Sequence, residues 1–295
     1  MPQPNSIASI NRKPTWRIST SYRWFALPPA IVLAAFFLWP IVLVIFRSFT
    51  DPEFGVQNYV HVLTAGPYLE VLWLTIKTAT VVAVLCLILA YPVAYVMSKA
   101  QGGLLNFLAA LVIIPLWTSV VIRSYAWMVV FQRRGILNQL LVSANFTDGP
   151  LNFIPGTLAV HVGMVHIMLP FMILPLLSNM RAIDRSLLLA ANVLGASPFQ
   201  GFMKVFLPLS MPGVTAGFVL VFMMSLGFFV TPALLGGPSQ MMAAVLIEQQ
   251  ANAQLNWGLA SALSTVLLLI TIAVYTVHVR LSNRVEGGST HANSK

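Results

Sequence analysis

The chain has 295 residues, of which 58% are hydrophobic and 8% charged, and its formal net charge is +9. That balance belongs to proteins that cross a membrane several times and excludes a water-soluble domain. The cations are spread over segments flanking apolar runs and form no dense basic stripe, so partnership with nucleic acid is excluded as well.

Residues 1–22 are polar and basic and are expected to form a cytoplasmic segment, unstructured over 1–20. The first predicted span, Phe25–Phe46, meets the roughly 20 helical residues that a hydrocarbon core requires. It is too long for a secretory apolar region and lacks a small-x-small cleavage site, so it reads as a retained helix. An outer loop, Phe49–Leu69, contains DPEFG, QNY and GP and has room for one helical turn; with the first span it makes a unit over 23–70. The second span is Val71–Ser98. A tight SKAQGG hairpin leads to the third, Leu104–Phe131, and the outer loop Gln132–Asn152 carries RRGILNQLL. The fourth span, Ile154–Leu177, is followed by the longest inner connection, Asn179–Pro212. The fifth, Gly213–Leu235, leads through an outer connection, Gly237–Trp257, with an amphipathic piece around Leu246–Leu255, to the sixth, Gly258–His278. Residues 71–282 form the membrane core, with an inner loop at 180–212. Residues 283–295 are a polar cytoplasmic tail, rich in Gly, Ser, Thr and Asn and expected to be unstructured from Glu286.

These runs are long and continuous, rich in Leu, Val, Ala and Ile, and show no strand-like alternation. The expected fold is therefore an all-α membrane protein with six transmembrane helices. The one cysteine, Cys86, lies inside the second span and reads as packing. With both termini inside, eleven of the sixteen cations fall on the cytoplasmic side. The other five, Arg47, Lys77, Arg123, Arg133 and Arg134, are balanced by Asp51, Glu53, Glu70, Asp148 and Glu248, and the positive-inside rule supports this orientation.

The inner connection is where function is concentrated. Asp184 is placed to cap a helix containing SLLLAANVL, and Ser197 followed by Pro198 signals a second, short helix. Gly195 lies between them, so a helix-turn-helix along the cytoplasmic face is expected, closed by Pro208 and Pro212. Ala191 and Gly195 are four apart and are expected to share one face without bulk, which suits close approach to another protein. Leu187, Leu188 and Leu194 are expected to supply apolar contact around them. Small residues of this kind also occur where a loop simply packs under a bundle.

The stretch LAANVLGASPFQGFMKVFLP, residues 189–208, runs Ala-Ala, three residues, Gly, nine residues, a β-branched residue, one residue, Leu-Pro. It closely resembles the cytoplasmic EAA loop of binding-protein-dependent ABC importer permeases, with Ala190, Ala191, Gly195, Leu207 and Pro208 on the matching positions and Leu189 where the motif usually opens with an acid. AYPVAYVMSKA (90–100), IIPLWTSVVIRSYAW (113–127), RRGILNQLL (133–141), LPFMILPL (169–176) and SLGFFVTPALLGG (225–237) extend the resemblance over residues 25–282, toward permeases of the spermidine/putrescine class and their first subunit. The resemblance implies a type I importer permease (MetI-like) fold in the bacterial inner membrane. It also implies a coupling loop made by Asp184, Leu189, Ala190, Ala191, Gly195, Ala196, Ser197, Val205, Leu207 and Pro208, which docks into an ATPase subunit. The implied partners are a second homologous permease, two ATP-binding subunits and a periplasmic solute-binding protein. A polyamine is the implied solute; iron, phosphonates, opines and amino-acid-like solutes belong to the same subgroup.

The candidate pathway or gate residues are Arg123, Trp127, Pro170, Phe229, Pro232 and Glu248. Arg123 reads as near the outer end of the third span. A charge there either faces the bundle interior and pairs with an acid or a carbonyl, the preferred reading, or snorkels beside tryptophans. Lys77 reads as a snorkelling lysine. Glu248 and Glu70 could line the outer mouth. Pro170 and Pro232 sit where kinks would suit a hinge. His161 and His166 are five apart and lack the i, i+4 spacing of a metal pair, so no metal or other cofactor is expected. No Gly-Lys pair supplies a phosphate cradle, and neither H-E-x-x-H nor G-x-S-x-G occurs, so the chain reads as a transport subunit without catalysis of its own. No predicted span contains an acid, which argues against a self-sufficient ion-coupled transporter.

Overall fold

The computed structural model describes the backbone of residues 20–290 and the side chains of residues 27–280. The expectations for residues 1–19 and 291–295 lie outside the described residues. The chain divides into two units, Met1–Phe46 and Arg47–Lys295. The first holds most of α1 (Thr20–Thr50), the predicted first span, whose bulky side chains such as Phe36, Phe37 and Trp39 are exposed, as suits a helix solvated by lipid.

The second unit continues with α2 (Gln57–Thr64), α3 (Tyr68–Lys99), α4 (Gly102–Ile113), α5 (Val120–Phe131), α6 (Ile136–Ser143), α7 (Thr157–Ala182), α8 (Arg185–Val193), α9 (Pro198–Gly201), α10 (Leu207–Leu226), α11 (Val230–Leu235), α12 (Ala243–Glu248) and α13 (Trp257–Thr290). Among the described residues five helical stretches are long and apolar enough to cross a membrane, and a bent pair, Gly102–Trp117 with Val120–Ser143, makes a sixth.

Two expected spans differ in form. The third is not one helix: its axis turns by 98° at a break after Trp117. Pro115 removes a helical N–H and crowds the preceding turn, and the chain passes through a short 3-10 turn, Ile114–Trp117, and an extended Thr118 before α5 begins. The fifth is displaced toward the inner side. One helical rod runs over Pro198–Leu226, then breaks at Gly227, and α11 is a separate piece. Pro208 and Pro212 therefore do not close the inner connection as expected. A π-helical turn at Phe202–Phe206 resets the hydrogen-bond register just ahead of Pro208, so the rod absorbs it. Smaller differences occur elsewhere. The outer loop after α1 holds two helical turns, not one. The tail expected to be unstructured from Glu286 continues α13 to Thr290, because extending an existing helix avoids the cost of nucleation.

The core is a three-helix packing of α3, α7 and α10. Ala79, Ala83, Cys86, Ala90 and Ala94 make a fully buried stripe of small residues along α3, and α7 presents Met164, Met168, Met172, Leu176 and Met180 at four-residue spacing. Long flexible side chains against a stripe of alanines let the helices approach closely, the arrangement that drives association in lipid. Cys86 is buried in this core, as expected.

RRGILNQLL has a structural explanation. The Asn138 side chain, 2% exposed, donates to the carbonyls of Gln132 (3.1 Å) and Leu151 (2.9 Å) and accepts from the Leu151 N–H (2.8 Å), closing the outer loop on itself. Asn138→Ala strips three bonds from a buried site and is expected to cost about 2–3 kcal/mol, visible as a lower Tm of the detergent-purified protein.

Candidate coupling turn and pathway cavity

The inner turn is assembled by local backbone chemistry. The Asp184 carboxylate accepts the Ser186 N–H at 2.8 Å and caps α8, as the sequence predicts. The helix ends at Val193, and the chain reverses at Gly195, whose φ is +86°. The Gly195 N–H bonds the Asn192 carbonyl and the Ala196 N–H bonds the Ala191 carbonyl, each at 3.0 Å. This pair of bonds is the Schellman ending, and the left-handed residue at its centre favours glycine. Gly195 is thus the pivot of the turn, not a second small residue on the face of Ala191; that expectation is corrected. Beyond it, Ser197 caps α9, with Gln200 N–H donating to Ser197 Oγ (3.3 Å) and Ser197 N–H donating to Gln200 Oε1 (3.0 Å), while Pro198 occupies the first turn.

The result is an outward-facing apolar knuckle. Val193 is 88% exposed, Leu194 87%, Phe199 72% and Leu189 64%. Leu187 and Ala190 are exposed as well, but Leu188 turns inward and packs against the core, so its expected part in the outer contact is corrected. Ala191, Ala196, Val205 and Leu207 are half-buried and Pro208 is exposed. Sequence reasoning missed Val193 and Phe199. The available signal was an apolar residue at each side of the glycine turn where a solvated loop would carry polar ones. Leu189 also lines a cavity of about 600 Å3 beside α8 with Lys99, Arg181, Arg185 and Leu188.

The knuckle is joined to the membrane bundle through the π-helical turn. Tyr95 of α3 meets Phe202 and Phe206 edge to face, with ring centroids 5.4 and 5.1 Å apart. Tyr95 also carries the Lys99 ammonium over its ring at 4.1 Å. One turn further, the Tyr91 hydroxyl bonds Ser210 Oγ at 2.9 Å.

The backbone and side-chain bonds from Ser186 hold the Asp184 carboxyl below its ordinary range. A lowered carboxylate pKa means that the cap is complete above the ordinary Asp range and is lost as pH falls through the lowered value. Amide exchange over Ser186–Leu188 is expected to accelerate as the solution is acidified relative to the middle of α8. Asp184→Asn, which keeps a capping oxygen, is expected to remove that pH dependence, and Asp184→Ala to leave exchange fast at every pH.

The pathway candidates fall in two places. Arg123 lies in the first turn of α5 and lines a cavity of about 350 Å3 with Thr118, Ser119, Met168, Phe171 and Phe228. Met168 and Phe171 are near the midpoint of α7, so Arg123 is at mid-span depth, deeper than the outer end at which the sequence places it. Breaking the third span at Pro115 lowers the start of α5 into the bundle. Trp127, one turn on, is half-buried; its indole N–H donates to His166 Nδ1 at 3.1 Å and its ring stacks on Phe131. Ser124 bonds Thr231 at 2.8 Å, which ties α5 to α11, where Pro232 is buried; Phe229 caps that short helix and is 37% exposed. Pro170 is buried within an unbroken α7. Glu248 stands apart, at the end of α12, which packs on α13 and α3; its carboxylate accepts from Asn252 at 3.4 Å. His161 and His166 belong to no metal-binding cluster among the described residues.

A bundle of long apolar helices with an exposed apolar turn at its inner end and broken spans beside a mid-span cavity has the architecture of a membrane permease subunit. The chain belongs to the family described as the binding-protein-dependent transport system inner membrane component, whose profile matches residues 8–287. It is 35% identical over 263 residues to the spermidine/putrescine transport system permease protein PotB of Haemophilus influenzae, covering 85% of this chain and 92% of that protein. The PotB of Escherichia coli strain K12 is 34% identical over 240 residues, covering 80% of this chain and 87% of that protein. A chain of the bacterial alginate ABC transporter, solved in complex with alginate pentasaccharide-bound periplasmic protein, superposes with a TM-score of 0.72 at 17% identity over 90% of this chain and 95% of that chain, so the fold is shared. The chain is thus a multi-pass transport component of the inner membrane, and the type I importer permease fold expected from the sequence is present.

Proposed function

We propose that the chain is one of two permease subunits of an ATP-driven importer that carries a polyamine such as spermidine or putrescine inward from a periplasmic binding protein. The observation that carries this reading is the knuckle of Leu189, Val193, Leu194 and Phe199, an exposed apolar patch on a turn locked by caps at both ends. Such a patch is an interaction surface, and its partner is an ATPase subunit that supplies the hydrolysis this chain has no motif for. The rod Pro198–Leu226, about 40 Å long at 1.5 Å per residue, begins at the knuckle and ends beside the Arg123 cavity, where Met224 contributes to the lining. Closure of an ATPase pair would move the rod at its inner end and reshape the cavity at the other, an alternating-access movement of packed helices. The polyamine assignment is supported by the similarity to PotB proteins over most of both chains.

The test is co-purification from detergent with the proteins encoded beside it, followed by ATPase and uptake assays in proteoliposomes. Stoichiometric recovery of an ATPase whose turnover is stimulated by spermidine-loaded or putrescine-loaded binding protein is the expected result. Recovery of the chain alone, folded, would overturn the importer reading. Stimulation by a different loaded binding protein would overturn only the polyamine.

A further inference from the structure

Two interrupted spans converge on the Arg123 cavity. The third breaks at Thr118–Ser119 and the fifth at Gly227–Phe229, and Thr118, Ser119 and Phe228 share the lining. The twelve-residue helix α5 starts at this point. Its N-cap Ser119 makes no side-chain capping bond, and the Arg123 N–H is the first to reach back into the helix, to the Ser119 carbonyl at 3.1 Å. By helix geometry the amides of Val120, Val121 and Ile122 have no partner within α5, and the positive end of its dipole faces the break. In the same turn stands Arg123, 7% exposed, with Nε and Nη1 buried and without hydrogen-bond partners. None of the seven acidic residues of the chain falls in α3, α5, α7, α10 or α13 beyond Glu70 at the outer start of α3 and Glu286 near the end of α13, and none lines this cavity.

An always-charged guanidinium and a helix N-terminus bordering one cavity, with no acid of this chain to pair with, make a receptor for a planar anion. Arg presents a fork that matches a carboxylate, and the exposed amides add further donors. In secondary transporters, half-helix N-termini at broken spans hold anionic substrate groups by the same dipole and free amides. We propose that Arg123 and the first turn of α5 form a carboxylate-binding site within the pathway. The proposal rests on the chain being an importer permease but not on the solute being a polyamine. A polyamine carries no anion, so for such a solute the carboxylate comes from an acidic side chain of the second permease; for a solute that bears a carboxylate it comes from the solute itself.

The two sources are separated with the whole transporter reconstituted in proteoliposomes and the probe pair putrescine and ornithine, which differ by one carboxylate. If the solute supplies the group, Arg123→Gln lowers the ratio of ornithine to putrescine uptake by about tenfold or more, the loss expected for a charge-assisted fork, and recovery of the second permease is unaltered. If the second permease supplies it, Arg123→Gln lowers recovery of that subunit and the Tm of the purified complex, and Arg123→Lys, which keeps the charge but not the fork, restores only part of both. Unchanged uptake ratio, unchanged subunit recovery and an equal or higher Tm in Arg123→Gln would overturn the site. Failure of the unmodified transporter to import spermidine, putrescine or ornithine overturns the polyamine reading, and Arg123→Gln is then read on uptake of whichever solute's loaded binding protein stimulates turnover, beside recovery and Tm.

Discussion

Gly195→Glu is expected to abolish functional ATPase coupling, by at least tenfold in solute-stimulated turnover, while leaving the protein inserted and helical. Two physical effects act together. At φ +86° a side chain is strained whatever space surrounds it, by about 1 kcal/mol for most residues, which loosens the ending that aims Val193 and Leu194 outward. Beyond its chain neighbours, Gly195 has no atom within 4 Å of where a Cβ would lie, so the new carboxylate projects freely beside the apolar knuckle, where a docked partner would have to desolvate it. Gly195→Asn separates the effects, since asparagine tolerates the left-handed conformation and carries no charge. It is expected to retain most of the coupling. Equal loss in both variants would assign the effect to the backbone, and normal co-purification and turnover of Gly195→Glu would remove the knuckle from the ATPase interface. A second substitution tests the patch without touching the turn. Val193→Asp, on the most exposed apolar side chain of α8, is expected to weaken ATPase recovery with little change in Tm.

What was legible in the sequence follows from which physical signals are local. Long apolar runs mark spans because lipid demands them over about 20 residues, and α1, α3, α7 and α13 lie within a few residues of expectation at most of their ends. Caps are equally local, so Asp184 and Ser197–Pro198 were readable, and Gly195 between them marked the turn, although its spacing from Ala191 misread it as part of a shared face. Hydropathy alone could not separate one apolar helix from two joined at an angle. Ile113–Trp127 and Ser225–Leu235 are apolar on both sides of their breaks, and only Pro115 and Gly227 hint at the interruption. Pro208 and Pro212 misled in the opposite sense, because a π-helical turn upstream accommodates a proline that an undisturbed helix would resist. The depth of Arg123 depends on the break at Trp117, so it could not be placed before the break was known. The inward turn of Leu188 beside two exposed leucines depends on α8 lying against the π-helical segment, a contact between elements that no sequence window contains.

The same dependence on contacts between elements governs the helix that joins the knuckle to the cavity. Gly213 and Gly217 form a G-x-x-x-G pair on the face of α10 turned to α7. A Cβ on Gly217 would lie 2.9 Å from Met172 Sδ and 3.2 Å from the Met172 carbonyl oxygen, and a Cβ on Gly213 would lie 2.7 Å from Asn179 Cβ. A thioether can swing away, but the backbone carbonyl of a buried helix cannot, so Gly217→Leu has to push α10 off α7. Overpacking of this kind costs about 1–3 kcal/mol, and more where, as here, the small residue is what permits the approach. Gly217→Leu is therefore expected to lower the Tm of the purified complex and to reduce folded yield sharply, with Gly217→Ala intermediate. The consequence for function is distinct from that of the knuckle variants. Gly217→Ala leaves Val193, Leu194 and Phe199 untouched, so ATPase recovery should persist, while solute-stimulated turnover falls because the rod no longer slides against α7 in its native register. A variant that keeps the ATPase bound but loses stimulation is the behaviour expected of an element that transmits motion. Recovery and stimulation falling in step would mean instead that α10 serves only to hold the knuckle in place.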